Sequence, residues 1–159
     1  MGFETQNVEF KSSWRDEYLK WICGFANAQG GVLEIGKNDH GVPVGLADAR
    51  RQLTEIPNKI NSAMAILVEV DLRHEGSLEY LAITVKPYPY PISYHGKYYL
   101  RSGATNRELA GHDLDDFILR RQGRTWDGMP VPQMSVTDLD TVAFREFKCR
   151  SRSKCSPMK

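Results

Sequence analysis

Residues 14 to 28 carry apolar side chains at 14, 18, 19, 21, 22, 25 and 26, stop at Gln29-Gly30-Gly31, and are followed at once by the run Gly31 to Gly36. The first set has the i, i+3, i+4, i+7 rhythm of an amphipathic helix, with Ser12 or Ser13 as N-cap candidates. The glycine pair suits its C-terminus, because a residue without a Cβ enters the left-handed conformation freely. The second set reads as a strand, apolar apart from Glu34, that delivers Asn38 and Asp39 to the loop at its end. Upstream, Val8 and Phe10 alternate with Glu9 and Lys11. A short strand there turns two apolar side chains to a core and sets a carboxylate and an amine side by side on the opposite face.

The rest of the chain extends the same mixture. Asp39-His40-Gly41 reads as a turn into a short strand at 42–44, and 46–64 as a second helix interrupted by Pro57. Residues 65–73 and 77–86 are β-rich and joined through His74-Glu75-Gly76, a hairpin signal. Pro87, Pro89 and Pro91 deny ladder donors and predict extended loop or edge. A second hairpin is expected from 92–95 and 98–101 about His95-Gly96-Lys97, and a closing helix over 107–121 through Leu109, Leu114, Phe117 and Ile118. This order predicts an α/β (α+β) domain, a mixed and largely antiparallel sheet packed with two to three helices. The expected organisation is one domain over 1–123, a Gly/Pro-bearing linker over 124–136, and a short helix with a basic tail over 137–159, placed to begin a further domain.

With 159 residues, 41% apolar and 26% charged, the composition is that of one ordinary globular domain. The longest apolar runs are strand-sized and no basic segment leads into an apolar one, which predicts a cytoplasmic protein without a membrane partner. Cys23, Cys149 and Cys155 lack paired spacing, so reduced thiols are expected rather than a structural zinc site. Residues 1–123 hold fourteen Lys/Arg against sixteen Asp/Glu, a balance of −2, while 124–159 hold seven against four, or +3. Any contact with nucleic acid must therefore come from a local patch.

Three groups of residues carry possible chemistry. Glu4, Glu9 and Asp39 are hard oxygen ligands that, brought together, suit Mg²⁺ or Mn²⁺ and could activate water against a phosphodiester, with Lys11 neutralising developing charge. The structural alternative is a surface Glu9–Lys11 pair of little energetic consequence. Gly31 to Lys37 has the spacing of a phosphate loop, but Asn38 replaces the hydroxyl residue and the intervening residues read as strand. Residues 97–107 offer Lys97, Arg101 and Arg107 as cations, and Thr105 and Asn106 as hydrogen-bonding groups for phosphate. Tyr94, Tyr98 and Tyr99 could stack on bases. The alternative there is that Tyr98 and Leu100 fill the core while 105–108 cap the last helix.

Four segments, Glu4-Thr-Gln-Asn-Val-Glu9-Phe-Lys11, Phe25-Ala-Asn27-Ala-Gln-Gly30-Gly31, Ile35-Gly36-Lys-Asn-Asp39-His-Gly41 with Val44-Gly45, and Tyr99-Leu-Arg101-Ser-Gly103-Ala-Thr105, together resemble the Schlafen/Alba-like domain. That domain is found near the N-terminus of many bacterial transcriptional regulators and in vertebrate Schlafen proteins. The resemblance covers residues 4 to about 122. It implies an Alba-related fold and nucleic-acid binding, DNA before RNA, in a bacterial transcriptional regulator. Lys11, Lys97, Arg101, Thr105, Asn106 and Arg107 are the expected contacts, a homodimer the expected assembly, and no cofactor is required for binding. It also implies an alternative, an endoribonuclease acting on structured RNA with Mg²⁺ or Mn²⁺ held by Glu4, Glu9 and Asp39. Lys37 and Asn38 depart from the valine and aspartate usual there. A third reading is an oligomerisation module.

Overall fold

A computed structural model of the chain describes residues 6–123. Glu4, the linker at 124–136, and the helix and tail at 137–159 lie outside the described residues. The first strand, β1 (Val8–Lys11), leads through one 3-10 turn (Asp16–Tyr18) into α1 (Leu19–Asn27), which passes through the short turn Ala28-Gln29-Gly30 into β2 (Gly31–Ile35). β1 and β2 lie parallel and adjacent, so the opening segment is a β-α-β unit. Gly30 adopts φ +78°, and a Cβ there would stand 2.5 Å from the carbonyl of Val85, so both conformation and space demand glycine. Neither Ser12 nor Ser13 caps the helix; the 3-10 turn has no side-chain cap.

A loop then leads to α2 (Ala49–Met64), followed by β3 (Glu69–Glu75) and β4 (Leu78–Val85). α2 runs unbroken through Pro57, where an interruption was expected. The missing donor and ring clash cost about 3 kcal/mol. Ile56 and Ile60 beside it are fully buried, and each such burial returns about 1.5–3 kcal/mol, which offsets the cost. The expected strand at 42–44 is reduced to one antiparallel bridge between Lys37 and Pro43. The β3–β4 hairpin forms as expected but turns at Gly76-Ser77, leaving His74 and Glu75 in the strand.

β5 (Ser93–Tyr94), β6 (Lys97–Ser102) and β7 (Thr105–Leu109) follow, and α3 (Gly111–Arg121) closes the described chain. The turn His95-Gly96 has positive φ at both positions (+50° and +74°), the pattern of a type I′ hairpin loop. β7 corrects the expectation that 105–108 cap the last helix and that the helix starts at 107. Thr105-Asn-Arg-Glu108 has the look of a capping box, but pairing with β6 across the two-residue turn Gly103-Ala104 claims it as strand.

The strands form two sheets rather than one, β1-β2-β4-β3 and β5-β6-β7, and every pairing except β1–β2 is antiparallel. α1 lies between them, against β6 on one side and β2 and β4 on the other. Its Ile22, Phe25 and Ala26 join Leu33, Ile35, Leu81 and Ile83 in one core. Asn27, fully buried, donates from Nδ2 to the carbonyls of Ile92 (2.7 Å) and Tyr99 (2.8 Å), and its Oδ1 accepts from the Ile92 N–H (2.7 Å). One amide therefore ties the helix to both the proline loop's end and the second sheet. Among the described residues no helix is long and apolar enough to cross a membrane.

Candidate nucleic-acid interface

Glu9 sits in register with Leu33, which in turn pairs Ile83, so its side chain faces the helices and not the outer surface of the sheet. The expected exposed Glu9–Lys11 pair is thus a buried one: the Glu9 residue is only 2% exposed. Its two oxygens are both engaged. Lys11 Nζ donates to Oε1 (2.6 Å) and Arg101 Nη2 donates to Oε2 (2.8 Å). The Arg101 side chain is wholly inaccessible, and its Nε donates to the Gln6 carbonyl (3.3 Å). Arg101 is therefore an interior residue and not a surface contact, which corrects that expectation. A cation can be held inside because a carboxylate meets it and the rings of Trp21 (4.7 Å) and Phe25 (5.1 Å) lie under the guanidinium.

Lys11 reaches the surface from this cluster, its side chain 20% exposed and its Nζ over the rings of Trp21 (5.4 Å) and Tyr18 (5.8 Å). Lys20, exposed, lies over Tyr99 (6.0 Å). Asn106, the cross-strand neighbour of Arg101, donates from Nδ2 to the Lys20 carbonyl (2.9 Å). A Cβ on Gly24 would stand 1.9 Å from the Asn106 Oδ1, so glycine at that turn of α1 is what lets β7 approach. Asn106 thus fastens β7 to α1. Thr105 Oγ1 donates to the Ser102 carbonyl (2.8 Å) and closes the hairpin turn.

The remaining cations of this hairpin divide between its faces. Lys97 bonds Glu108 (3.0 Å) on the side that carries Tyr99, and the Glu108 pair raises the lysine's affinity for its proton. Arg107 stands opposite Leu100, on the other face, exposed and 3.6 Å from Asp113. Along β1, α1 and the facing part of α2, the pairs Glu9–Arg101–Lys11, Arg15–Glu17 and Asp16–Lys59, with Lys20, set five cations against three carboxylates, a local +2 where residues 1–123 as a whole carry −2. That is the local patch the charge balance required.

Of the three expected metal ligands, Glu9 and Asp39 lie within the described residues. Both oxygens of Glu9 already hold cations, Asp39 is exposed in the turn after Asn38, and Glu4 lies outside the described residues. Among the described residues no group of three or more His, Cys, Asp or Glu could hold a metal ion. Asn38 spends its Oδ1 on the backbone N–H groups of His40 and Val42 (3.0 Å each), an Asx-type turn. The glycine-spaced run is strand, as read, and Lys37 is held by Glu34 (2.8 Å). Burial pulls the Lys37 proton affinity down, but the hydrogen bond and charge of Glu34 outweigh it.

Trp14, Tyr18 and Trp21 were legible only as part of a core stripe. The structure leaves all three half-buried, along the margin of the cationic patch.

A β-α-β unit braced by a three-stranded sheet and a buried Glu–Arg pair is the class of domain these features define. The family model for Schlafen, AlbA_2 matches residues 4–110, and the chain belongs to that family. Among solved structures, the DIP2311 protein from Corynebacterium diphtheriae is similar over 96% of this chain at a TM-score of 0.60 and 18% identity. That likeness shows the fold; this chain spans 31% of that protein's length. The N-terminal domain of a RecG-related protein from Nitrosomonas europaea is similar over 67% of this chain and 80% of its own, at a TM-score of 0.47 and 24% identity. No curated protein matches the chain.

Proposed function

We propose that residues 6–123 form a nucleic-acid-binding domain, with DNA as its first substrate, acting in the cytoplasm as the recognition module of a bacterial transcriptional regulator. The observation that carries this reading is the local +2 built around the buried Glu9–Arg101 pair in a domain that is otherwise net acidic. Family membership supports it. Lys11, Lys20 and Lys97 are the contacts on the α1 side, Arg107 and Thr105 those on the opposite face of the β6–β7 hairpin, and Asn106 and Arg101 position the rest. A homodimer sets two such surfaces on one target, in keeping with the symmetry most oligomers have. The ribonuclease alternative requires Glu9 to give up Lys11 or Arg101 to a metal.

Phosphate binding of this kind releases counterions, so affinity falls steeply with salt. Titrating a labelled DNA against the protein across salt concentrations is the test. Lys20→Ala and Lys97→Ala should each make the log–log slope shallower by about 1. Affinity that ignores salt, or slopes unchanged in both variants, overturns the proposal. A module for oligomerisation alone shows neither effect.

A further inference from the structure

Beyond the lysines, aromatic rings lie along the same surface. Trp14 and Tyr18 stand edge to face, 6.3 Å between centroids, and Trp21 follows one turn on, beside Lys11. Trp14 is fixed in place. The Trp14 indole N–H donates to Asp16 Oδ1 (2.9 Å), the same oxygen that accepts from Lys59 (2.8 Å). Those two hydrogen bonds, Lys59 first, hold the Asp16 carboxyl below its usual range, so Asp16 stays paired and adds no free negative charge.

Past Asp16 the strip opens into a groove of about 460 Å³ between the start of α1, the C-terminal half of α2 and the β5–β6 turn. Leu19 and Ala63 make its apolar floor, Asn58 and Ser62 line it with hydrogen-bonding groups, and Tyr94 and His95 stand at its side with rings 4.2 Å apart. Neutral donors, apolar floor and rings are what a nucleobase needs, whereas a duplex hides its base faces in its own stack.

Resting on the nucleic-acid reading above, we propose that the Tyr18–Trp14 strip and the Tyr94–His95 groove bind single-stranded nucleic acid, bases stacking on the rings while Lys11, Lys20 and Lys59 meet the phosphates. Stacking platforms of this sort tolerate any sequence, since every base has a π-face. The strip makes unpaired strand the preferred substrate of the domain, and a duplex target is engaged where it is opened.

The probe is an oligothymidylate of about ten nucleotides, within the span that stacking sites of this kind cover. It is compared with a duplex of equal length by anisotropy, in a Trp126→Phe background so that emission comes from Trp14 and Trp21. The expected result is tighter binding of the single strand with quenched tryptophan emission. Trp14→Ala and Tyr94→Leu should each weaken single-strand binding about tenfold, leaving duplex affinity unchanged. Far-UV circular dichroism establishes that both variants fold, and Tyr94→Phe, which keeps the ring, should restore binding. Duplex preference without quenching, or single-strand affinity unaffected by both variants, overturns the stacking strip and leaves the salt-dependent reading standing. Binding of neither probe overturns both.

Discussion

At the scale of single residues, the sequence pairs Glu9 with Lys11 on an outer strand face and sets Arg101 apart as a surface contact, whereas the structure joins all three in one buried cluster. Alternation along β1 is indifferent to which face meets the helices, so a strand of four residues offered no sign that the polar side was the interior one. The pair's weight follows from its burial: removing one partner leaves the other charged and desolvated, at about 3–5 kcal/mol. Arg101→Ala should therefore lower the urea midpoint by that equivalent, and Glu9→Gln should also destabilise, whether or not divalent metal is present. A Glu9→Gln protein of unchanged midpoint would show that the buried pair contributes little to stability. Gly24 gives a second expectation. Gly24→Ala forces a methyl onto Asn106 Oδ1, and overpacking of this kind costs about 1–3 kcal/mol. Because the clash is with the end of one side chain, Asn106→Ala in the same protein should recover part of the loss, a coupling that a double-mutant cycle reads directly.

At the scale of elements, α1, β2, α2 and the two hairpins β3–β4 and β5–β6 were legible because periodicity, Gly stops and turn residues all agreed. β7 was not, since Thr105-Asn-Arg-Glu108 carries little β propensity and its strand state comes from pairing with β6, a contact that no local pattern records. The ring strip was missed for a related reason. Helical spacing assigns Trp14, Tyr18 and Trp21 to one stripe, but how much of that stripe a neighbour covers depends on where the second sheet stops. Asn27 is where that second sheet is attached. Asn27→Leu keeps the volume near that of the amide yet orphans the Ile92 N–H and removes a donor from the Ile92 and Tyr99 carbonyls, the first of which keeps Cys23, at about 1–3 kcal/mol for each group left unsatisfied. The expected outcome is a cooperative loss of stability with early hydrogen-exchange exposure of β5–β7. Uniform exposure of both sheets would show that the amide does not hold that layer separately.

At the scale of the whole molecule, the core that joins both sheets through α1 contains one titratable thiol, Cys23, which donates to the Ile92 carbonyl (3.3 Å). Burial pushes this thiol up from 9.0 to about 11, the hydrogen bond at Tyr99 opposing only weakly. In the unfolded chain the proton leaves near the ordinary value, so between about pH 9 and 11 the native state holds more protons than the unfolded one. Stability is then full below pH 9 and falls by about 1.4 kcal/mol per pH unit through that window. The raised affinities of Lys37, Lys86 and Lys97, each through its carboxylate partner, and of Tyr99, through burial, act in the same direction. The thiol's share separates from theirs by substitution. Cys23→Ala forfeits some packing at all pH values but should flatten the decline in urea midpoint between pH 9 and 10, before the lysines titrate. An undiminished slope in that interval would mean that the thiolate is accommodated in the folded protein, and that α1 is less tightly enclosed by the two sheets than its buried face indicates.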